Sequence, residues 1–388
     1  MKLSKAISGF KNKNILLLQG PIGPFFNYFA KKLSLQNNRI FKINFNGGDF
    51  IFYPFKSVNY TKSFKNYKDF IKEFYLKNNI EIIFCYNDTR KIHKCAIEIA
   101  KELDIEVYVF EEGYLRPNFI TLEKDGVNAN SKMSKDANFY KKYNFKNKEI
   151  NNLLKYSFYK MCFYTFIYYL FSFIFSFYFN NKNHHRTLKP SESFYWIRHY
   201  IRLKKYKISD AKISLENKKY FLCVLQVFND TQVKIHYEKK CIKKFIISVI
   251  KSFIKNADNN TYLVFKHHPM DIGYVDYSKV MKKFAKKFNI EDKIIYLHSG
   301  HLPTLLTNAS GCVVANSTVG LSSIAYSCPT IVLAKAIYNI DGLVYKGTLD
   351  SFWSNVLKFN VDKQLYEKYK SYLLNTNQIN GSFYEDVF

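Results

Sequence analysis

The chain has 388 residues, with 59 Lys and Arg against 31 Asp and Glu, a formal charge of +28. That length suits two domains of ordinary size rather than one, and the basic balance points to an anionic partner, a nucleotide or an acidic membrane surface, with part of the Lys excess on solvated faces. No zinc-finger spacing, RNP-type motif or basic low-complexity tail accompanies the charge, so no nucleic-acid partner is expected.

The N-terminal residues are basic but run into a short apolar strand without a signal-peptide core, and the seven scattered cysteines never form Cys-x-x-Cys. Both features predict a cytoplasmic protein with reduced thiols. Residues 15–18 read as a strand, Gln19-Gly20-Pro21-Ile22-Gly23-Pro24 as a turn, and 25–35 as a helix with Lys31 and Lys32 outward. The unit recurs. Strand 39–45 ends in Asn46-Gly47-Gly48-Asp49, helix 67–77 follows, and strand 81–86 ends in Asn87-Asp88-Thr89-Arg90. Helix 92–103 leads to strand 105–110, which runs into Glu111-Glu112-Gly113-Tyr114-Leu115-Arg116-Pro117. Strands alternating with helices predict a doubly wound parallel sheet.

Residues 158–179 carry one charge, Lys160, and are more than half Phe and Tyr. They are long enough to span a bilayer, but a span would put the two halves of the chain on opposite sides of it. Two readings stay open: a helix buried on the protein, or one lying in the membrane interface with Lys155, Lys182, Arg186 and Lys189 beside it, the latter being favoured. Arg198, Arg202, Lys204, Lys205 and Lys207 add a basic face.

The second half repeats the alternation, with strands at 220–227, 262–265, 294–297, 311–315 and 330–333 and helices at 237–256, 277–288, 302–308 and 319–327. The expected domains are 1–127, an N-terminal α/β domain; 128–215, a helical, aromatic and basic insert; and 216–388, a C-terminal α/β domain. This is an α/β, GT-B-like architecture: two doubly wound parallel-sheet domains facing across a cleft.

Ligands of such sheets collect beyond the carboxyl ends of the strands. Glu111 and Glu112 stand at one such end, and adjacent strand residues point to opposite faces, so one faces the cleft squarely. Crowding raises one carboxyl pKa, which suits a nucleophile or an acid–base group, with Asp88 as a third candidate. Arg116 suits a substrate carboxylate or phosphate. Gln19, Gly20, Gly23, Asn46 and Asp49 are candidate acceptor contacts, although turn chemistry alone explains each of them. In the second half, Lys266-His267-His268-Pro269 and Asn316-Ser317-Thr318-Val319-Gly320 follow strands and would seat a nucleotide phosphate. The histidines lack metal-site spacing, so no metal is expected.

The stretches 17–26, 42–49, 110–117, 266–269 and 316–322 together resemble the bacterial capsule polysaccharide synthesis family, most closely its shorter β-Kdo transferases of lipid-linked capsule assembly. The likeness covers most of the chain. It implies a retaining glycosyltransferase that uses CMP-Kdo, needs no cofactor, and places the first β-Kdo on a phosphatidylglycerol-type lipid. The enzyme would sit peripherally on the cytoplasmic face of the inner membrane, near other capsule synthesis and export proteins. On that likeness Glu112 is the nucleophile with Glu111 or Asp88 assisting. Lys266, His268, Pro269, Asn316, Ser317, Thr318, Gly320 and Arg116 hold the donor. The family often has Glu-Asp-Gly where this chain has Glu111-Glu112-Gly113, which leaves the two carboxylates' roles open. A CMP-sialic acid-dependent transferase and a non-catalytic membrane scaffold are the alternatives.

Overall fold

A computed structural model describes residues 2–143, 157–180 and 192–385. In chain order its strands are β1 (Asn14–Leu17), β2 (Arg39–Asn44), β3 (Val58–Asn59), β4 (Ile82–Tyr86), β5 (Glu106–Glu112) and β6 (Phe119–Lys124). There follow β7 (Tyr220–Val224), β8 (Tyr262–Lys266), β9 (Ile294–Leu297), β10 (Gly311–Val314), β11 (Thr330–Val332) and β12 (Gln378–Asn380). The chain divides into two units, the first of Met1–Lys132, Phe145–Leu188 and Ser371–Phe388, the second of Met133–Asn144 and Lys189–Lys370.

The sheet of the first unit has the order β12-β6-β5-β4-β1-β2-β3. From β3 to β5 every pairing is parallel, whereas β6 and β12 are antiparallel additions. The second unit's sheet, β11-β10-β7-β8-β9, is parallel throughout. Both are doubly wound, and in each the order reverses beside the first strand, giving switch points at β1/β4 and β7/β10.

Central parallel strands are covered on both faces, so they read as unbroken apolar runs. In β1 and the residue after it, Leu16 and Leu18 join one core while Ile15 and Leu17 join another. Helix Phe25–Ser34 sends Phe25, Phe29 and Leu33, at four-residue spacing, into the second of these cores with Phe84 and Phe110. Helices Tyr67–Lys77 and Lys91–Glu102 cover the opposite face.

The domain boundaries differ from those read in the sequence. Residues 371–388 return to the first unit, where β12 extends the sheet and Gln378 ties three backbone segments together. Its Oε1 accepts from Tyr114 N at 2.8 Å and its Nε2 donates to Thr121 Oγ1 at 2.8 Å. The aromatic stretch also belongs to the first unit. Helix Ser157–Ile174 lies on the short helix Gly47–Phe52, so closely that a Cβ on Gly47 would stand 2.1 Å from the Phe171 carbonyl oxygen. One on Gly48 would stand 2.5 Å from the Tyr168 ring, so only glycine permits this approach.

Candidate active site

Strand β5 is two residues longer than its apolar run suggests, and Glu111 and Glu112 are its last members, paired with Thr121 and Ile120 of β6. The acidic pair is therefore held in a hairpin rather than in a strand-to-helix corner. Alternation sends the two side chains to different surroundings. Glu111 Oε2 accepts from the amides of Asn87 and Asn128, each at 3.0 Å, and its Oε1 accepts from Glu112 N at 3.0 Å. Burial, with the charges of Glu112 and Asp88, pushes the Glu111 carboxyl up to about 7 despite those donors. Burial also raises Glu112, but the nearby Arg116 guanidinium and a hydrogen bond from Tyr86 act the other way. Both carboxyls are thus raised by burial, and the two differ in their partners: Glu112 alone has a cation and a phenol that oppose the rise.

Asp88 is buried, and its Oδ2 accepts from Val127 N at 3.0 Å and Asn130 Nδ2 at 3.1 Å. It staples the loop at 127–130 and acts on Glu111 through its charge. Arg116 is exposed and donates from Nε to Gly113 O at 3.2 Å. Arg90, the last residue of the strand-end stretch 87–90, joins the switch point: it is buried, donates to Gln19 Oε1 at 2.8 Å and lies 5.0 Å over the Tyr86 ring. One arginine thus links the carboxyl end of β1 to the tyrosine that holds Glu112.

The expected side-chain acceptor contacts lie in a buried, internally hydrogen-bonded cluster. Gln19, Asn46 and Asp49 are buried and spend their polar atoms on one another and on the Tyr168 hydroxyl. That hydroxyl donates to Asp49 Oδ1 at 2.9 Å and accepts from Asn46 Nδ2 at 2.7 Å and Gln19 Nε2 at 3.2 Å. Asp49 Oδ2 accepts from Gln19 Nε2 at 3.0 Å, and Asn46 caps helix Gly47–Phe52 through Asp49 N. These groups anchor the aromatic helix. Gly20 and Gly23 line a cavity of about 20 Å³ beside Lys42, room for about one water molecule.

In the second unit, Gln226 follows β7 as Gln19 follows β1, and it too bridges the switch point. Its Nε2 donates to Asn316 Oδ1 at 3.0 Å and its Oε1 accepts from Asn316 N at 3.2 Å. Lys266 does not reach outward: it is buried and donates to the carbonyls of His267 and His298 at 3.3 and 3.2 Å. His267 is also buried, its Nδ1 2.6 Å from the Tyr296 hydroxyl, and desolvation lowers its pKa to about 3. His268, half-exposed, accepts from Met270 N at Nδ1, so its neutral ring carries the proton on Nε2 and presents a donor suited to a phosphate oxygen. Pro269 opens the 3-10 turn that this cap begins.

Ser317 Oγ accepts from Val319 N at 3.2 Å, which satisfies one donor of the expected phosphate seat; Thr318 makes no side-chain cap. Gly320 lies under the Tyr338 ring, where a Cβ would meet the hydroxyl at 2.2 Å. Only glycine permits this close packing. Arg198 and Arg202 of helix Glu192–Asp210 turn onto the carbonyls of Gly273, Tyr274 and Ile272, so the expected basic face is reduced to exposed Lys204, Lys205 and Lys207. Lys155, Lys182, Arg186 and Lys189 lie outside the described residues.

Two doubly wound α/β units, each with a polar cluster at its switch point, define a GT-B-like protein. The chain belongs to the family described as capsule polysaccharide biosynthesis protein, which matches residues 81–384. It is 36% identical over 380 residues to the capsule polysaccharide export protein KpsS of Escherichia coli, covering 96% of this chain and 97% of that one. It is also 36% identical over 392 residues to the capsule polysaccharide modification protein LipB of Neisseria meningitidis serogroup B, covering 97% and 93%. Among solved structures it is similar to the β-Kdo 2,4 transferase of Thermosulfurimonas dismutans KpsC, with a TM-score of 0.45 and 10% identity over 93% of this chain and 90% of that one.

Proposed function

We propose that this protein is a retaining glycosyltransferase that moves Kdo from CMP-Kdo to a phosphatidylglycerol-type lipid, peripherally on the cytoplasmic face of the inner membrane. Membership of a capsule polysaccharide biosynthesis family supports the pathway. The observation that carries the chemistry is the acidic pair at the carboxyl end of β5.

In this reading the Glu112 carboxylate attacks the anomeric carbon of Kdo, the bond from that carbon to the phosphate oxygen breaks, and CMP leaves with the electron pair. The acceptor hydroxyl then attacks the same carbon, passing its proton to water, as the bond to Glu112 breaks and the Glu112 carboxylate is restored. Two inversions amount to retention. Glu111 is a positioning residue: its Oε1 holds the Glu112 backbone N–H, and its other oxygen gathers Asn87 and Asn128. The nucleotide phosphate is assigned to the second unit, where His268 and the Asn316–Thr318 turn follow the carboxyl ends of β8 and β10. The steps as written use no metal.

Donor competition tests the assignment. Purified protein given CMP-Kdo and CMP-sialic acid with the lipid should release CMP from the first and leave the second intact. Preferential use of CMP-sialic acid would transfer the protein to another donor class, and release from neither would leave a scaffold.

A further inference from the structure

The first unit has a second opening that these steps do not use. Helix Phe25–Ser34, the aromatic helix and residues 383–385 enclose a groove of about 390 Å³ lined by Tyr28, Lys31, Lys160, Tyr164, Phe383 and Tyr384. Of the charged residues along it, three are lysines and one, Glu385, is acidic. Lys31 sits 5.9 Å from the centre of the Tyr28 ring, and Lys31 and Lys160 are both exposed. Phe383, in the groove wall, stands edge-on to Tyr86 at 5.4 Å, and Tyr86 is the phenol that hydrogen-bonds Glu112.

The helix that carries Lys160 has two unlike faces. Tyr168 and Ser172 bind it to the protein, Ser172 Oγ accepting from Gly48 N at 3.2 Å. Away from them Tyr159, Phe163, Phe166, Leu170, Phe173 and Phe177 recur every three or four residues, and all are exposed, from 39% at Leu170 to 84% at Phe177. Soluble surfaces do not leave such a stripe uncovered. The segment Ser157–Phe177 is long and apolar enough to cross a bilayer. A helix hydrogen-bonded along one side to an α/β unit cannot, however, be ringed by lipid. Its geometry is that of a helix lying in the interface, apolar face down and cations at headgroup level.

We infer that the groove binds the headgroup of an anionic glycerophospholipid standing in the bilayer, with Lys31 and Lys160 meeting its phosphate and the aromatic stripe seated among the acyl chains. This rests on the lipid-acceptor reading above and adds where that lipid enters. Tyr384, which lines the groove, feels the charge of Glu112, so the groove lies on the side of the unit that carries the acidic pair. Charge selects the occupant: a cluster with net positive charge beside an apolar stripe complements a molecule that is anionic at one end and hydrocarbon at the other.

The test is binding rather than turnover, so it stands whether or not CMP-Kdo is the donor. Monomeric short-chain phosphatidylglycerol is titrated against the full chain, against Lys31→Glu/Lys160→Glu, and against Phe163→Ser/Phe166→Ser/Phe173→Ser, with thermal melts to verify folding. The lysine variant should lose affinity for the monomeric lipid by at least about ten-fold, the change that removing charge-assisted phosphate contacts produces. Lys160→Gln alone should lose less. The Phe variant should keep monomer affinity but fail to float with vesicles of phosphatidylglycerol and phosphatidylcholine. Equal lipid affinity in the folded lysine variant, equal binding of short-chain phosphatidylcholine, or a concentration-dependent dimer that buries the stripe would each overturn the inference. Loss of CMP-Kdo turnover with lipid binding intact would instead count against the transferase reading alone.

Discussion

Glu111 and Glu112 share a backbone and little else, and their difference is measurable. The Glu111 carboxyl is raised from an ordinary value near 4.5 to about 7 by burial and by like charges. The unfolded chain therefore gives up this proton at lower pH than the folded one, so Glu111 lowers stability as pH rises from about 4.5 through 7. The cost has an upper bound of about 3 kcal/mol. Urea midpoints of the wild type should fall across that window, and those of Glu111→Gln should fall less; parallel profiles would refute the raised carboxyl. Glu112→Gln should leave the melt unchanged while lowering transfer by about 10³-fold or more, as loss of a nucleophile does. The acidic pair was legible because its residue types are rare at strand ends, and Arg116 because it follows the same motif. Tyr86 and Gln226 were not, and the stretch ending at Arg90 was legible only as a strand end, since each residue acts through a partner far away in sequence, as in the Arg90–Gln19 bond.

At the scale of elements, the aromatic helix shows how a segment's composition can be plain and its function hidden. Its apolar length was evident, but its docking depends on one hydroxyl, that of Tyr168, among Asp49, Asn46 and Gln19. Tyr168→Phe removes that hydroxyl and leaves buried polar groups short of a partner, a loss of about 1–3 kcal/mol in chemical denaturation. Gly48→Ala should loosen the helix further, because a methyl would stand where the Tyr168 ring lies, and limited proteolysis should then cut between residues 157 and 177 earlier than in wild type. Unchanged cleavage in both variants would show that the helix is held elsewhere. Every parallel strand except the two-residue β3 was read from the sequence, because each is a short apolar run between turn residues. Strand β6 was missed because Phe119–Lys124 mixes apolar and charged residues, and β12 because Gln378–Asn380 is short and polar. Neither holds a pattern of its own; tertiary pairing makes them strands.

For the whole molecule, two sheets of the same winding were legible from the alternation of elements, but the return of 371–388 to the first unit was not. Contacts such as that of Gln378 with Tyr114 join residues far apart in the chain and leave no local signal. The charge of +28 also belongs to this scale, and on the proposed interfacial reading it would make membrane attachment salt-dependent. Flotation with anionic vesicles should weaken as salt is raised and persist in part through the aromatic stripe, whereas salt-independent flotation would leave the lysines without a role. The most direct measurement is mass spectrometry of the lipid after incubation with CMP-Kdo and short-chain phosphatidylglycerol, with the linkage read by NMR. Wild type should yield the lipid bearing β-linked Kdo and folded Glu112→Gln essentially none; no product from wild type, or undiminished product from the variant, would contradict the catalytic role assigned to Glu112.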